Sequence, residues 1–108
     1  MNISEQKINH YTVVSLGGVL NAASAPDLKH HIERLFQEKF LVIDLENIDY
    51  LDSSGLGALV GVARRLKANE AVLKLSNLNE RVRKVFEITR AFMLFDIYDD
   101  VLSAAESE

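Results

Sequence analysis

The sequence predicts an α/β domain in which a mixed β-sheet carries amphipathic helices packed mainly on one face. Short apolar or β-branched runs alternate along the chain with stretches whose apolar residues recur at helical spacing. The 108 residues suffice for one domain, and a single proline and no glycine- or serine-rich tract leave no sign of a linker. We therefore expect residues 1–108 to form a single domain with the order β-β-α-β-α-β-α-β-α, its parallel strands joined by right-handed crossovers.

The N-terminal residues predict a β-hairpin followed by a helix. Two strands, Ile3–Ile8 and Tyr11–Leu16, flank a short turn that begins at Asn9. A helix is expected over Ala25–Glu38, because one apolar stripe runs along it at helical spacing. Ser24 precedes this helix and is predicted to cap it through its side chain.

The rest of the chain continues the alternation of strands and helices. An almost continuous apolar run at its centre predicts a strand covered on both faces, followed by a short acidic loop and a second helix. The expected elements are a central strand over Phe40–Leu45, a helix after Asp52, a strand over Ala71–Leu75, a helix capped by Asn79, a strand within Phe92–Tyr98 and a terminal helix starting at Asp99-Asp100.

Composition excludes several classes of function. The formal net charge of -4 argues against a nucleic-acid-binding protein, and the absence of cysteine excludes disulfides, thiolate metal sites and a cysteine nucleophile. The N-terminus lacks the apolar core of a signal peptide, and no apolar run approaches the roughly 18 residues needed to span a bilayer. A cytoplasmic protein without a membrane partner is the expectation.

The most informative segment is Asp52-Ser53-Ser54-Gly55-Leu56-Gly57, at the junction of the central strand and the second helix. Asp52 and Ser53 are both suited to cap the free N–H groups of the first helical turn. Gly55, Gly57 and Gly61 each lower helix stability by about 1 kcal/mol relative to alanine. Three glycines in one helix predict close packing against the sheet or against a partner.

Two interpretations of the serines remain open on spacing alone. In the first, they only cap a helix that packs closely on a sheet. In the second, a serine is phosphorylated, which adds about -1.5 to -2 charges at a helix N-terminus. Asp49 and Asp52 lie nearby in sequence, so the phosphate would create a repulsive, bulky patch that disfavours an acidic or tightly fitted partner.

Catalytic interpretations are weaker. A nucleophile elbow needs glycine two residues before and two after the serine, and a phosphate loop needs a lysine after its glycines; this segment has neither. His30 and His31 point to different sides of a helix, which favours solvated or partly packed roles over metal ligation. We expect no catalytic residue, no metal and no cofactor, although the helix N-terminus leaves a small-molecule or nucleotide phosphate as a third interpretation.

The chain resembles the STAS-domain family of bacterial anti-sigma factor antagonists. The likeness extends over nearly the whole chain, and its strongest part is the Asp-Ser-Ser-Gly-Leu-Gly signature in its strand–loop–helix setting. The segments that carry the resemblance are Ser24–Pro26, Val42–Leu45, Ile48–Gly57, Leu73–Leu78 and Val82–Thr89.

The resemblance implies a binding protein and not an enzyme. In such proteins the unmodified form binds an anti-sigma factor, often a serine-protein kinase of the histidine-kinase ATPase type, and frees its sigma factor or another effector. The kinase then phosphorylates the first serine after the signature aspartate and ends binding, and a PP2C-like phosphatase restores it. Carried over, the phosphorylation site is Ser53, with Ser54 as the alternative. The implied partner-binding residues are Asn21, Asp49, Asp52, Ser53, Ser54, Gly55 and Leu56.

The chain departs from the family pattern at three places. Val19 and Asn21 stand where acidic residues are common, which bears on the partner surface. Asn69-Glu70 replaces two glycines, and Thr89-Arg90 replaces a Thr-Gly pair; both changes are expected in loops that leave the fold intact. The alternative function is a STAS subunit of a transporter ATPase complex that is not reversibly phosphorylated.

Overall fold

A computed structural model describes residues 1–107 and confirms the predicted α/β architecture. The strands and helices follow the predicted order, with one 3₁₀ turn added before the last strand. The elements are β1 (Asn2–Ile8), β2 (Tyr11–Leu20), α1 (Ala25–Glu33), β3 (Phe40–Leu51), α2 (Ser53–Ala68), β4 (Val72–Ser76), α3 (Glu80–Thr89), the 3₁₀ turn (Ala91–Leu94), β5 (Asp96–Tyr98) and α4 (Val101–Glu106).

The five strands form one mixed sheet in the order β1-β2-β3-β4-β5. β1 pairs with β2 in antiparallel fashion, and the other neighbours are parallel. β3 lies at the centre, and its residues Leu41, Val42 and Ile43 are all fully buried. The near-continuous apolar run that predicted a strand covered on both faces is thereby explained, since successive side chains point to opposite faces.

The helices divide unequally between the two faces of the sheet. α1, α2 and α3 pack on the face that carries Leu41 and Ile43, and they enclose the larger apolar core. The short α4 covers the other face, where Ala104 and Ala105 contact a smaller cluster around Val13. No helix within residues 1–107 is long and apolar enough to cross a membrane.

The first helix is shorter than predicted: α1 ends at Glu33 and not at Glu38. The following residues form tight turns, in which the Leu35 N–H donates to the Ile32 carbonyl at 2.8 Å. The Glu38 carboxylate accepts bonds from Thr12 Oγ1 and Lys7 Nζ, both at 2.6 Å, and so draws the chain toward the hairpin. The segment after Glu33 thus turns back to the hairpin, and the local apolar pattern carries no sign of these contacts.

The predicted acidic loop before Asp52 is wrong, because β3 continues to Leu51. β2 also extends past its predicted end to Leu20 and pairs with this second half of β3, with register shifts around Gly17 and Gly18. Ile48 and Leu51 are both buried in the core. Their burial holds this half of the strand in place although most of its other residues are polar. The site at the end of β3 is therefore carried by a strand.

The caps of the later helices match the sequence. The Asn79 side chain accepts a bond from the Val82 N–H at 3.0 Å at the start of α3. Asp100 does the same for the Ser103 N–H at 2.7 Å at the start of α4. Each carboxamide or carboxylate satisfies an N–H that the first turn of a helix leaves without a helical partner.

Candidate functional site

The site is built where β3 ends and α2 begins. Asp52 is the N-cap of α2, and its Oδ1 accepts a bond from the Gly55 N–H at 2.9 Å. The predicted cap is thus confirmed for Asp52. Ser53, the other predicted cap, is instead the first residue of the helix. The carboxylate fixes the turn and leaves the serine side chains free of that task.

Ser53 and Ser54 are both exposed at this turn. Within residues 1–107, neither hydroxyl makes a hydrogen bond to another protein group. The two hydroxyls therefore stand in solvent at the N-terminus of a 16-residue helix, whose dipole places about half a positive charge there.

Gly55 holds α2 against the end of β2. A Cβ at this position would overlap the carbonyl oxygen of Leu20 and lie 2.7 Å from its carbon and 2.9 Å from Leu51 Cδ1. Only glycine fits this approach, as close packing predicted. Gly57 and Gly61 are different, because a Cβ at either would meet nothing within 4 Å. For these two glycines the structure excludes packing against the sheet, and packing against a partner stays a prediction.

Leu56 lies inside the protein. It is 8% exposed and belongs to the main core, and Gly55 is buried beside it. In the free chain Leu56 packs on the sheet, and its expected part in partner binding stays a prediction. Both residues support the turn from within.

The loop between β2 and α1 is organised by Asn21. Its Oδ1 accepts bonds from the N–H groups of Ala23 at 3.0 Å and Ser24 at 3.2 Å. Ser24 precedes α1 as predicted, yet its side chain makes no capping bond and donates to the Val19 carbonyl at 2.7 Å. The predicted side-chain cap is therefore wrong, because Ser24 Oγ is used to close the loop.

Asp49 lies on the exposed part of β3, and the start of α3 braces this strand from the side. Arg81 Nη1 donates to the Asp49 carbonyl at 3.1 Å, and Asn79 Nδ2 donates to the Ile48 carbonyl at 2.7 Å. Sequence reasoning missed Arg81 altogether and assigned Asn79 only its cap. The brace leaves the Asp49 carboxylate on the surface, three residues before Asp52.

An apolar pair near the serines was also missed. Val19 and Tyr50 are register partners on β2 and β3, and they are 41% and 54% exposed. Exposed apolar side chains that pair across strands are suited to contact another protein. The only sequence signal was the apolar residue at position 19, where acidic residues are common in the family.

The histidines lie away from this arrangement in the fold. His10 is at the hairpin turn and packs edge-on against Phe40, with ring centroids 4.6 Å apart. His31 on α1 lies against the Glu5 carboxylate, and His30 is exposed. Across residues 1–107, histidine, aspartate and glutamate side chains form no cluster of three or more that is arranged to hold a metal ion.

Fold and site together define a class of protein: a small α/β domain that displays two serine hydroxyls at the start of the helix after its central strand. The chain belongs to the STAS domain family, which matches residues 2–104.

Relatives and solved structures agree with this family. The chain is 31% identical over 91 residues to the anti-sigma-B factor antagonist of Staphylococcus aureus, covering 82% of this chain and 84% of that protein. Its fold matches that of an anti-sigma factor antagonist from Mycobacterium paratuberculosis, with a TM-score of 0.83, 23% identity, and coverage of 95% and 89% of the two chains. It also matches the Bacillus cell fate determinant SpoIIAA in the phosphorylated form, with a TM-score of 0.70, 21% identity, and coverage of 93% and 92%.

Proposed function

We propose that this protein is an anti-sigma factor antagonist that is controlled by phosphorylation of Ser53. The unphosphorylated form binds an anti-sigma factor that is also a serine-protein kinase of the histidine-kinase ATPase type. Binding releases the sigma factor, or another effector, held by that kinase. Phosphorylation of Ser53 ends the interaction, and a PP2C-like phosphatase restores it. The protein acts in the cytoplasm as a binding module, without catalysis or a cofactor.

The observation that carries this proposal is the exposed Ser53 hydroxyl beside a cap that Asp52 already fills. A kinase must reach the acceptor oxygen, and Ser53 is an exposed residue. The name of the Staphylococcus aureus relative supports the antagonist role. The phosphorylated Bacillus SpoIIAA structure supports control by phosphate on this fold.

Charge explains why a phosphate would end binding. It adds about -1.5 to -2 charges, whereas the helix N-terminus supplies only about +0.5. The Gly55 N–H already donates to the Asp52 carboxylate, so it is not free to donate to an oxygen of the phosphate. The surface would therefore gain net negative charge close to Asp52 and Asp49. A partner fitted to the neutral hydroxyl would lose contact and meet repulsion.

The test compares capture by the immobilised wild type and by three immobilised variants: Ser53→Ala, Ser53→Asp and Ser54→Ala. Ser53→Ala is expected to retain a kinase of the stated type constitutively, and Ser53→Asp to retain much less. The wild type should lose the kinase on phosphorylation and regain it after phosphatase treatment. Mass spectrometry identifies the captured protein and the modified serine.

Ser54→Ala is the matched control, because it removes the neighbouring exposed hydroxyl and leaves Ser53 in place. Neither alanine variant should lose more than about 0.5 kcal/mol of stability, since neither hydroxyl caps the helix in this structure. Phosphorylation of Ser53→Ala at the rate of the parent would overturn the assignment of Ser53. Capture of a transporter ATPase subunit, unaffected by phosphate, would instead favour the structural-subunit role.

A further inference from the structure

A second surface extends along α2 from the serines toward the C-terminal end of the helix. Between α1 and α2 lies a groove of about 350 Å³, which we call the α1–α2 groove. Its apolar lining comes from Ile32, Phe36 and Val62, and Gly61 opens one side of it. The remaining lining residues are all basic: Lys29, Arg64 and Arg65.

The basic rim contrasts with the rest of the protein. The chain has a formal net charge of -4, yet its three charged groove residues are all cations. The Arg65 guanidinium lies 4.8 Å from the centre of the Phe36 ring, which holds the cation at the edge of the apolar lining. Its ion pair with Glu33 has a distance of 3.7 Å, and both side chains are about half exposed. Such a pair is weak, so an incoming carboxylate can replace Glu33.

The groove is continuous with the start of α2, where Ser53 and Ser54 lie. Ser54, Gly57, Gly61 and Arg65 recur at three- and four-residue intervals, so they lie on one side of α2. A Cβ at Gly57 or Gly61 would touch nothing, which leaves a bare strip of helix backbone between the hydroxyls and the arginines. Glycine weakens a helix and gains no internal packing here, but it admits a partner closely.

We propose that the α1–α2 groove receives an acidic, amphipathic segment of the partner protein that docks at Ser53. This inference rests on the proposed function, which supplies the partner. The apolar side chains of the segment fill the space above Phe36 and Val62, and its carboxylates pair with the basic rim. Charge complementarity selects an acidic segment, and the apolar lining selects a peptide over a purely ionic ligand.

One experiment tests the groove without the kinase. The probe is a synthetic amphipathic helical peptide with leucines on one face and glutamates elsewhere, and its control carries lysine in place of every glutamate. In ¹⁵N-labelled protein, the acidic peptide is expected to shift the amide signals of Ile32, Gly61 and Val62, with affinity falling as salt rises. Equal binding of both peptides, no binding of either, or shifts confined to another surface would overturn the proposal.

A second experiment uses the purified kinase identified by capture. The variant Arg64→Glu/Arg65→Glu is expected to bind about tenfold more weakly than the parent, mainly through slower association. Lys67→Glu/Lys84→Glu is the matched control: it reverses the same number of charges at exposed positions that do not line the groove, and affinity should stay within about twofold. Equal losses in both variants would overturn the groove as a specific contact.

Gly61→Ala separates binding from folding. The added methyl group meets nothing in the free protein, so the melting temperature should rise by about 4 °C while affinity for the kinase falls. A rise in stability with unchanged affinity would overturn the proposal.

The two proposals fail in different ways. If the kinase binds the groove variants as tightly as the parent, while Ser53→Asp still binds weakly, the groove proposal is wrong and the Ser53 proposal is retained. If no kinase is captured at all, the proposed function is wrong, and the peptide titration alone decides the chemistry of the groove. Self-association of the parent that Arg64→Glu/Arg65→Glu abolishes, measured by sedimentation, would assign the groove to a second copy and overturn the choice of occupant.

Discussion

Two glycines of α2, only two residues apart, should respond oppositely to the same substitution. Gly55→Ala places a methyl group onto the Leu20 carbonyl, 2.7 Å from its carbon and 2.9 Å from Leu51 Cδ1. Gly57→Ala places the same group in open space. Both variants add one methyl group to the same helix and gain the same helix propensity. The difference between their free energies of unfolding therefore measures the effect of the close approach of α2 to β2.

The magnitudes follow from opposing terms. Alanine in place of glycine in a helix gains about 1 kcal/mol, and Gly57→Ala should therefore be stabilised by that amount. At position 55 the same gain is offset by overpacking against backbone, which costs about 3 kcal/mol because the atom in the way cannot rotate aside. Gly55→Ala should thus be about 2 kcal/mol less stable than the parent, and the two variants should differ by about 3 kcal/mol.

Urea unfolding followed by circular dichroism measures both values. The midpoint should rise for Gly57→Ala and fall for Gly55→Ala at unchanged slope, which reports the surface exposed on unfolding. A change of the same sign in both variants would refute the reasoning that only Gly55 meets the sheet. Under the proposed function, Gly55→Ala should also bind the proposed kinase more weakly, because the displaced turn carries Ser53.

Three further predictions concern other parts of the molecule. Arg90 adopts a left-handed conformation with φ of 61°, so Arg90→Gly should raise stability by about 1 kcal/mol in thermal unfolding, and an unchanged or lower value would contradict that strain. Hydrogen bonds from Lys7 and then Thr12 lower the pKa of the Glu38 carboxyl below its usual 4.5. The ionised carboxylate therefore stabilises the folded protein above that value, and this stabilisation is lost as pH falls through the lowered pKa. Glu38→Gln should reduce the loss of folding stability at acid pH, as measured by urea unfolding at several pH values. Lys74 is 2% exposed, and its Nζ donates to the Ala104 and Ser107 carbonyls at 3.0 Å. Lys74→Met should therefore lower folding stability by about 2 kcal/mol and speed hydrogen exchange in α4. Unchanged exchange would show that Lys74 does not hold α4 on the sheet.

Local patterns were sufficient to predict most elements. Apolar stripes predicted α1, α2 and α3, and Asp52, Asn79 and Asp100 predicted the starts of α2, α3 and α4, because a side-chain oxygen satisfies an N–H within the same turn. The central strand followed from its apolar run. These features depend on residues close together in the sequence, and they agree with the structure.

Features set by distant residues could not be predicted in this way. The second half of β3 is polar and resembles a loop, and pairing with β2 makes it a strand. The end of α1 depends on Glu38 reaching Thr12 across the fold. Lys74 alternates with apolar neighbours as a solvent-facing strand residue would, yet α4 covers it, and the Tyr11 and Tyr98 rings lie 4.6 Å and 4.8 Å from its Nζ.

The site divides along the same line. The motif predicted the capping aspartate and the exposed serines, because both follow from the start of a helix. The closed Asn21 loop, the Arg81 brace and the exposed Val19–Tyr50 pair depend on residues far apart in the sequence, so the motif gave no sign of them. The motif therefore predicted the two serine hydroxyls and their cap, but not most of the surface around them.

The two outer strands of the sheet also restrict how the protein can associate. β1 is largely exposed and carries Glu5 and Lys7, whereas β5 at the opposite side has only three residues and begins with Asp96. Charged or very short margins resist pairing with the backbone of another chain, so growth of the sheet into fibres or strand-swapped dimers is disfavoured. Such margins leave side chains, and not exposed strand backbone, as the means by which this protein can recognise another.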